Sequence, residues 1–305
     1  MKHQIQQLPH DHYLPFNWQF DELTTHHDVE RRIVEFSMTP RGRPSFTPAL
    51  LRDLNAFQTA LAVAVTEAMD HGEDAPVDYL VHTSSVPEVF NLGGDLQFFL
   101  RCIGAADEQT LRHYAHLSID VLHTNLVNLH LPVTTVALIE GTALGAAFEA
   151  ALSSDVIIAE RHAQIGFPEV VFNMFPGMGA YSFLSRRLAP ALVERMIMSG
   201  RMYHAEELHE MGVIDHLAEP GEGREALRRF IHNDRRTATT RRALLKMRER
   251  VHPITKQELL DIADLWVESA LSLTDKDQRM MARLVKAQEK RMEKQASARV
   301  QAVSA

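Results

Sequence analysis

Cysteine is almost absent from this chain: its 305 residues include one, Cys102. A lone thiol excludes an intramolecular disulfide framework and fits a reducing compartment. An excess of basic charge is also missing. The 32 Lys and Arg face 40 Asp and Glu, a formal charge of −8, which argues against a general nucleic-acid binder. No apolar run approaches a membrane span, and the opening MKHQIQQLPHDHYLPFNWQF lacks the apolar core of a signal peptide. The expectation is a soluble, cytoplasmic protein. Several signatures are missing as well. There is no G-x-x-x-x-G-K-[ST] and no strand-linked G-x-G-x-x-G, so nucleotide-phosphate binding has little support. Without G-x-S-x-G, a Ser nucleophile lacks its usual turn. Seventeen histidines raise the question of a metal, yet none stands in H-E-x-x-H and Cys102 is isolated. No metal, nucleotide or redox cofactor is expected.

The chemistry that is present is concentrated between Val133 and Phe183. The β-branched run Val133 to Ile139 reads as a buried strand. Gly141 breaks it, and Ala143 to Leu152 is a small-residue apolar segment with good helix propensity. Its one charge, Glu149, is expected against apolar walls, where desolvation raises a carboxyl pKa towards neutrality. A strand from Asp155 to Glu160 follows, and Ile165-Gly166-Phe167-Pro168 then delivers Glu169. Two carboxylates on adjacent elements are half of an acid/base site. The other half is a donor for negative charge. A helix starting near Gly145 leaves the Ala146 N–H unpaired in its first turn, with Glu149 on nearly the same face. Upstream, the turn VFNLGGDL (Val89 to Leu96) follows the strand candidate Val77 to Thr83. Its Gly93 and Gly94 permit close approach of backbone to ligand, and Asp95 is placed to start the next helix. Two N–H groups from separate turns, converging on one oxygen, make an oxyanion hole.

The remainder supplies a frame. Residues 1–24 read as a polar, His-rich arm interrupted by Pro9 and Pro15. Arg32 to Met38 is a strand candidate. Pro48 to Met69, Leu96 to Ile103 and Glu108 to Leu131 are helix candidates, the last stopped by Pro132. Strand and helix alternate, which builds a largely parallel layer. Beyond Phe183 the pattern turns helical, with a short strand from Val213 to Leu217 after Gly212. The expected organisation is an arm at 1–24, a core at 25–217, a helical subdomain at 218–294 and a frayed tail at 295–305.

Three motifs then stand in order. They are F-x-x-G-x-D-L at Phe90 to Leu96, G-x-A-x-G-x-x-x-E at Gly141 to Glu149, and G-x-P-E at Gly166 to Glu169. With these, the chain from about Ile33 to Met281 resembles the crotonase (enoyl-CoA hydratase/isomerase) superfamily. The resemblance implies an α/β fold: a crotonase (ClpP-like) β-β-α spiral core with a C-terminal helical subdomain that covers the site and packs in a trimer. FNLGGDL, FEAALS, FPGMGAYSF and LWVESALSL look further like the diffusible-signal-factor synthases, which make cis-2-unsaturated fatty acid signals from acyl-carrier-protein thioesters. By that resemblance Glu149 and Glu169 are the acid/base pair, and the N–H groups of Leu92 and Ala146 form the oxyanion hole. Gly93, Gly94, Leu144 and Gly145 close around the thioester. Phe172, Met174 and Met178 wall an acyl tunnel that ends near Trp266. One departure stands out: Gly145-Ala146-Ala147 replaces a common Gly-Gly-Gly run, and the added methyls would narrow the site.

The implied partners are an acyl carrier protein thioester or a CoA thioester, a sensor kinase of the signalling system, and further copies of the chain as a homotrimer or dimer of trimers. The basic run from Arg235 to Arg250 reads as a solvated helix face or a dock for an acidic carrier. Two rivals share the motifs or the scaffold. One is a housekeeping enoyl-CoA hydratase. The other is a non-catalytic crotonase-like regulatory binding protein, against which the presence of both Glu149 and Glu169 speaks.

Overall fold

Strand pairs generate this fold, one strand of each pair in a large sheet and the next in a small one. The structure is a computed structural model that describes residues 18–71 and 75–303. The first elements are β1 (Leu23–Asp28), β2 (Ile33–Met38), α1 (Pro48–Asp70), β3 (Tyr79–Ser84) and β4 (Val89–Asn91). Helices α2 (Leu96–Gly104) and α3 (Glu108–Leu126) lead to β5 (Thr134–Ile139), β6 (Thr142–Leu144) and α4 (Ala146–Leu152). The next turn holds β7 (Val156–Glu160) and β8 (Gln164–Gly166). Thus β3, β5 and β7 lie side by side in parallel, while β4, β6 and β8 pair in parallel in the second sheet. This repeated strand-strand-helix turn is the β-β-α spiral. Strands β5 and β7 are buried along their whole length, which explains their unbroken apolar runs.

Helices then dominate: α5 (Ala180–Leu184), α6 (Pro190–Ser199), α7 (Ala205–Glu210), α8 (Gly223–Asp234), α9 (Ala238–Val251), α10 (Lys256–Leu271) and α11 (Asp275–Val303). The short strands β9 (Met202–His204) and β10 (His216–Ala218) close the two sheets. No helix among the described residues is long and apolar enough to cross a membrane.

Four expectations are corrected. The core begins before residue 25: β1 starts at Leu23, and the rings of Trp18 and Phe20 meet Phe57 edge-on at 5.9 and 6.1 Å. The first seventeen residues of the expected arm lie outside the described residues. Helix α3 stops at Leu126, not Leu131, because Asn128, Leu129 and His130 form a left-handed turn with φ of 53°, 55° and 57°. Asn128 enters that region readily, and its side chain donates to Val133 O at 2.9 Å. Ala143 and Leu144 are strand rather than helix, since pairing with β4 and β8 overrides their propensity. The tail is helical as far as Val303, and residues 304–305 lie outside the described residues.

Candidate active site

Three consecutive amides in the turn after β4 have different fates. Leu92 N–H donates to Pro44 O at 2.7 Å, and Gly93 N–H donates to Asn91 Oδ1 at 2.8 Å. No hydrogen bond among the described residues uses the Gly94 N–H. Leu92 is therefore corrected as an oxyanion donor: its N–H is already spent on the loop before α1. Gly93 has φ 88°, and a Cβ there would sit 2.6 Å from Leu144 O, so the β4 turn and the β6 turn touch through this glycine. Asp95 caps α2, accepting from the N–H groups of Gln97 and Phe98, and is held by Arg43 at 2.8 Å.

On the facing turn, Gly145 adopts φ 51° and ψ −120°, and its N–H donates to Gly166 O at 2.8 Å. That conformation turns the chain from β6 into α4 and leaves the first helical amide, Ala146 N–H, without an acceptor among the described residues. One turn on, Glu149 is 1% exposed. Its Oε1 accepts from Met178 N–H at 2.7 Å and Ala180 N–H at 2.9 Å, so the loop before α5 fixes the carboxylate. Burial raises its pKa to about 7, against the pull of those two N–H bonds.

Glu169 opens a 3-10 turn, Glu169–Phe172, and approaches from the other side. Its Oε1 lies so close to Gly145 that a Cβ there would be 2.0 Å away. Its Oε2 is buried and has no hydrogen-bond partner. Burial and, secondarily, the charge of Glu149 raise its pKa to about 8. A buried polar oxygen left without a protein partner is open to water or to a ligand in the cavity.

The shift has a sign for stability. Between its ordinary pKa of 4.5 and about 8, the folded protein keeps a proton on Glu169 that the unfolded chain has lost. Folding stability from this group therefore falls as pH rises through that window. Glu169→Gln is expected to have a higher urea midpoint than the unsubstituted protein at pH near 9, and a similar one near pH 5. Equal pH slopes for the two proteins would remove the buried-carboxyl assignment.

Glu149, Glu169, Gly94, Ala146, Phe172, Met178 and Trp266 line one cavity. Trp266 meets Phe99 edge-on at 4.9 Å and packs on Gly177, where a Cβ would be 2.5 Å from its ring. Leu92, Gly93, Leu144 and Gly145 line an adjoining cleft of about 190 Å³, roofed by Leu284, Ala287 and Gln288 of α11. Gly94, Glu169 and Phe172 border both spaces. Met174 is corrected: it is buried in the core and lines neither. Of the two added methyls, Ala146 reaches the cavity, while Ala147 is wholly buried away from it. Sequence reasoning missed Phe99, Tyr114, Ala115, Ser118 and Ala263, which form much of the remaining wall. These carry no motif, and only their place on apolar faces of α2, α3 and α10 was visible.

The basic run is not one face. Arg235 donates to Arg31 O at 2.6 Å, Arg241 pairs with Asp234, and Arg248 reaches Asp155 at 3.3 Å. Arg242 and Lys246 border a separate cleft of about 500 Å³ that shares no lining residue with the carboxylate cavity.

Comparison with known proteins places this geometry in context. The family described as Enoyl-CoA hydratase/isomerase matches residues 50–249. The mitochondrial methylglutaconyl-CoA hydratase of Rattus norvegicus is 29% identical over 220 residues, 69% of this chain and 63% of that protein, so the chain spans just under two thirds of that relative. The mitochondrial enoyl-CoA hydratase domain-containing protein 2 of Mus musculus is 27% identical over 232 residues, covering 73% of this chain and 76% of that one. Among solved structures, Pseudomonas aeruginosa DspI superposes with a TM-score of 0.65 at 21% identity, covering 78% of this chain and 86% of its own. An enoyl-CoA hydratase from Bacillus halodurans gives 0.67 at 18% identity, covering 86% and 99%. At these identities the structural likeness is one of fold.

Proposed function

The chain belongs to the enoyl-CoA hydratase/isomerase family, and on that premise we propose that it dehydrates a 3-hydroxyacyl thioester and then hydrolyses the thioester, releasing a cis-2-unsaturated fatty acid. The observation that carries the acid/base part is the meeting of two buried carboxyl groups, both raised towards neutrality, in one cavity beside two unpaired backbone amides. The thioester carbonyl oxygen takes the N–H groups of Gly94 and Ala146, which stabilise the enolate oxygen as it forms. One carboxylate removes the α-proton while the other protonates the departing β-hydroxyl, so 3-hydroxyacyl thioester becomes 2-enoyl thioester and water. With both pKa values near neutrality, the pair can hold a single proton at the pH where it works.

The finer reading rests on likeness to the signal synthases in the turns around these residues. It takes acyl carrier protein as the donor, gives the double bond cis geometry, and ends in free acid that serves as a quorum-sensing signal. Water attacking the carbonyl carbon would build a tetrahedral oxyanion on the same two amides, with Glu149 or Glu169 taking the water's proton; collapse then breaks the C–S bond, the carrier's thiol leaves with that proton, and no Ser or Cys nucleophile is needed. A sensor kinase as regulatory partner belongs to the same reading. So does a homotrimer, which would cover the exposed Leu244, Met247 and Val251 on α9.

A second reading, a hydratase of CoA thioesters, is favoured by the names of the relatives in sequence. Incubation with (R)-3-hydroxyacyl carrier protein, extraction without alkali and mass analysis separates the two. A free cis-2-unsaturated acid is expected. A trans-2-enoyl thioester alone, formed faster from CoA than from carrier protein, would hand the protein to the second reading.

A further inference from the structure

Met178 lines the carboxylate cavity on one side and, on the other, a second internal space between α1, α3 and α4. Most of that space is apolar, but two polar atoms on its wall are buried without a partner: His82 Nε2 and Gln58 Oε1. His82 is 6% exposed and Gln58 2%. The imidazole is stacked on Phe36 at 4.6 Å and tilted against Phe90 at 4.8 Å, and Gln58 is anchored through its Nε2, which donates to Val121 O at 3.0 Å. Two buried polar atoms without a protein partner on one small pocket are costly, and each calls for an occupant. The room available, about 20 Å³, is that of one oxygen atom.

We propose that the space behind Met178 is a hydroxyl-binding subsite. A single oxygen accepts from His82 Nε2–H and donates to Gln58 Oε1. Water supplies it in the ligand-free protein, and a hydroxyl near the distal end of an acyl chain supplies it when such a chain passes Met178. Burial drives the His82 pKa down to about 3, so the ring is neutral and carries one N–H, which the proposal places on Nε2. Methionine has the side-chain freedom to let a chain through. The chain-end part rests on the proposed function, since it takes the cavity to be an acyl channel.

Calorimetry with a length series of saturated fatty acids and their ω-hydroxy counterparts tests this without turnover. At one length the hydroxy acid should bind about tenfold more tightly than the methyl-ended acid, the scale of one or two buried hydrogen bonds. Gln58→Met and His82→Phe, which keep volume and ring, should erase that preference and leave the methyl-ended acid unchanged. A high-resolution crystal structure of the free protein should show one water bridging the two atoms. Such a water without a hydroxyl preference at any length would assign the site to solvent and overturn the ligand reading. A dry cavity would overturn both parts. Inactivity on carrier-bound substrate, with the preference intact, would count against the proposed function alone.

Discussion

Glu149→Gln and Glu169→Gln are each expected to lower turnover by about 10²–10⁴, the usual worth of a positioned proton-transfer group. Both substitutions keep shape. In the first, the new amide oxygen can still accept from Met178 N–H and Ala180 N–H, which hold Oε1 at 2.7 and 2.9 Å, so the loop before α5 should stay in place. In the second, no hydrogen bond is lost at Oε2, because none is made there. What each loses is the ability to take or give a proton in the cavity. The double variant should be little worse than either single one, since an acid without its base has no step to perform. Rate measurements on the carrier-bound substrate, with thermal unfolding as a control, check this. Full turnover in either folded variant would sink the two-carboxylate mechanism.

The carboxylates were legible because of contrast: Glu149 is the one charge in a segment of Ala, Phe and Leu, and Glu169 follows the Gly166-Phe167-Pro168 break after a short strand. The oxyanion donor was not. In Leu92-Gly93-Gly94 every residue offers an amide, and which is spent depends on Pro44 O and Asn91 Oδ1, partners that only the folded chain brings together. Met174 and Met178 pose the same problem, since they lie in an irregular loop with no period to say which side faces inward. Helical residues were easier to place by face than by neighbour. The resemblance that put Trp266 near the end of a tunnel could not say that Gly177 and Phe99 would meet it. The spiral itself was half visible: the buried strands β5 and β7 announce themselves by composition. The second sheet is built from strands of three residues, too short to show alternation.

Ala146→Pro is the substitution that isolates the oxyanion hole. Ala146 is the first residue of α4, the helical position where proline is best tolerated because the amide has no helical acceptor. Proline also restricts the residue before it, disfavouring the helical region and preferring an extended one. Gly145, at φ 51° and ψ −120°, sits near the mirror image of that extended conformation, which glycine occupies as readily as the original. The exchange should therefore delete one N–H and leave the turn, Glu149 and Glu169 where they are. Turnover is expected to fall by about 10²–10³, the effect of losing one oxyanion donor, with little change in melting temperature. The ring methylene occupies the former hydrogen's place at the cavity edge, so KM should rise as well. Ala146→Gly serves as the companion: it removes the methyl, keeps the amide and should retain most of the turnover. If the proline variant folds and turns over like the glycine one, Ala146 N–H does not hold the developing oxyanion, and the carbonyl must be held by Gly94 or by a group on α11.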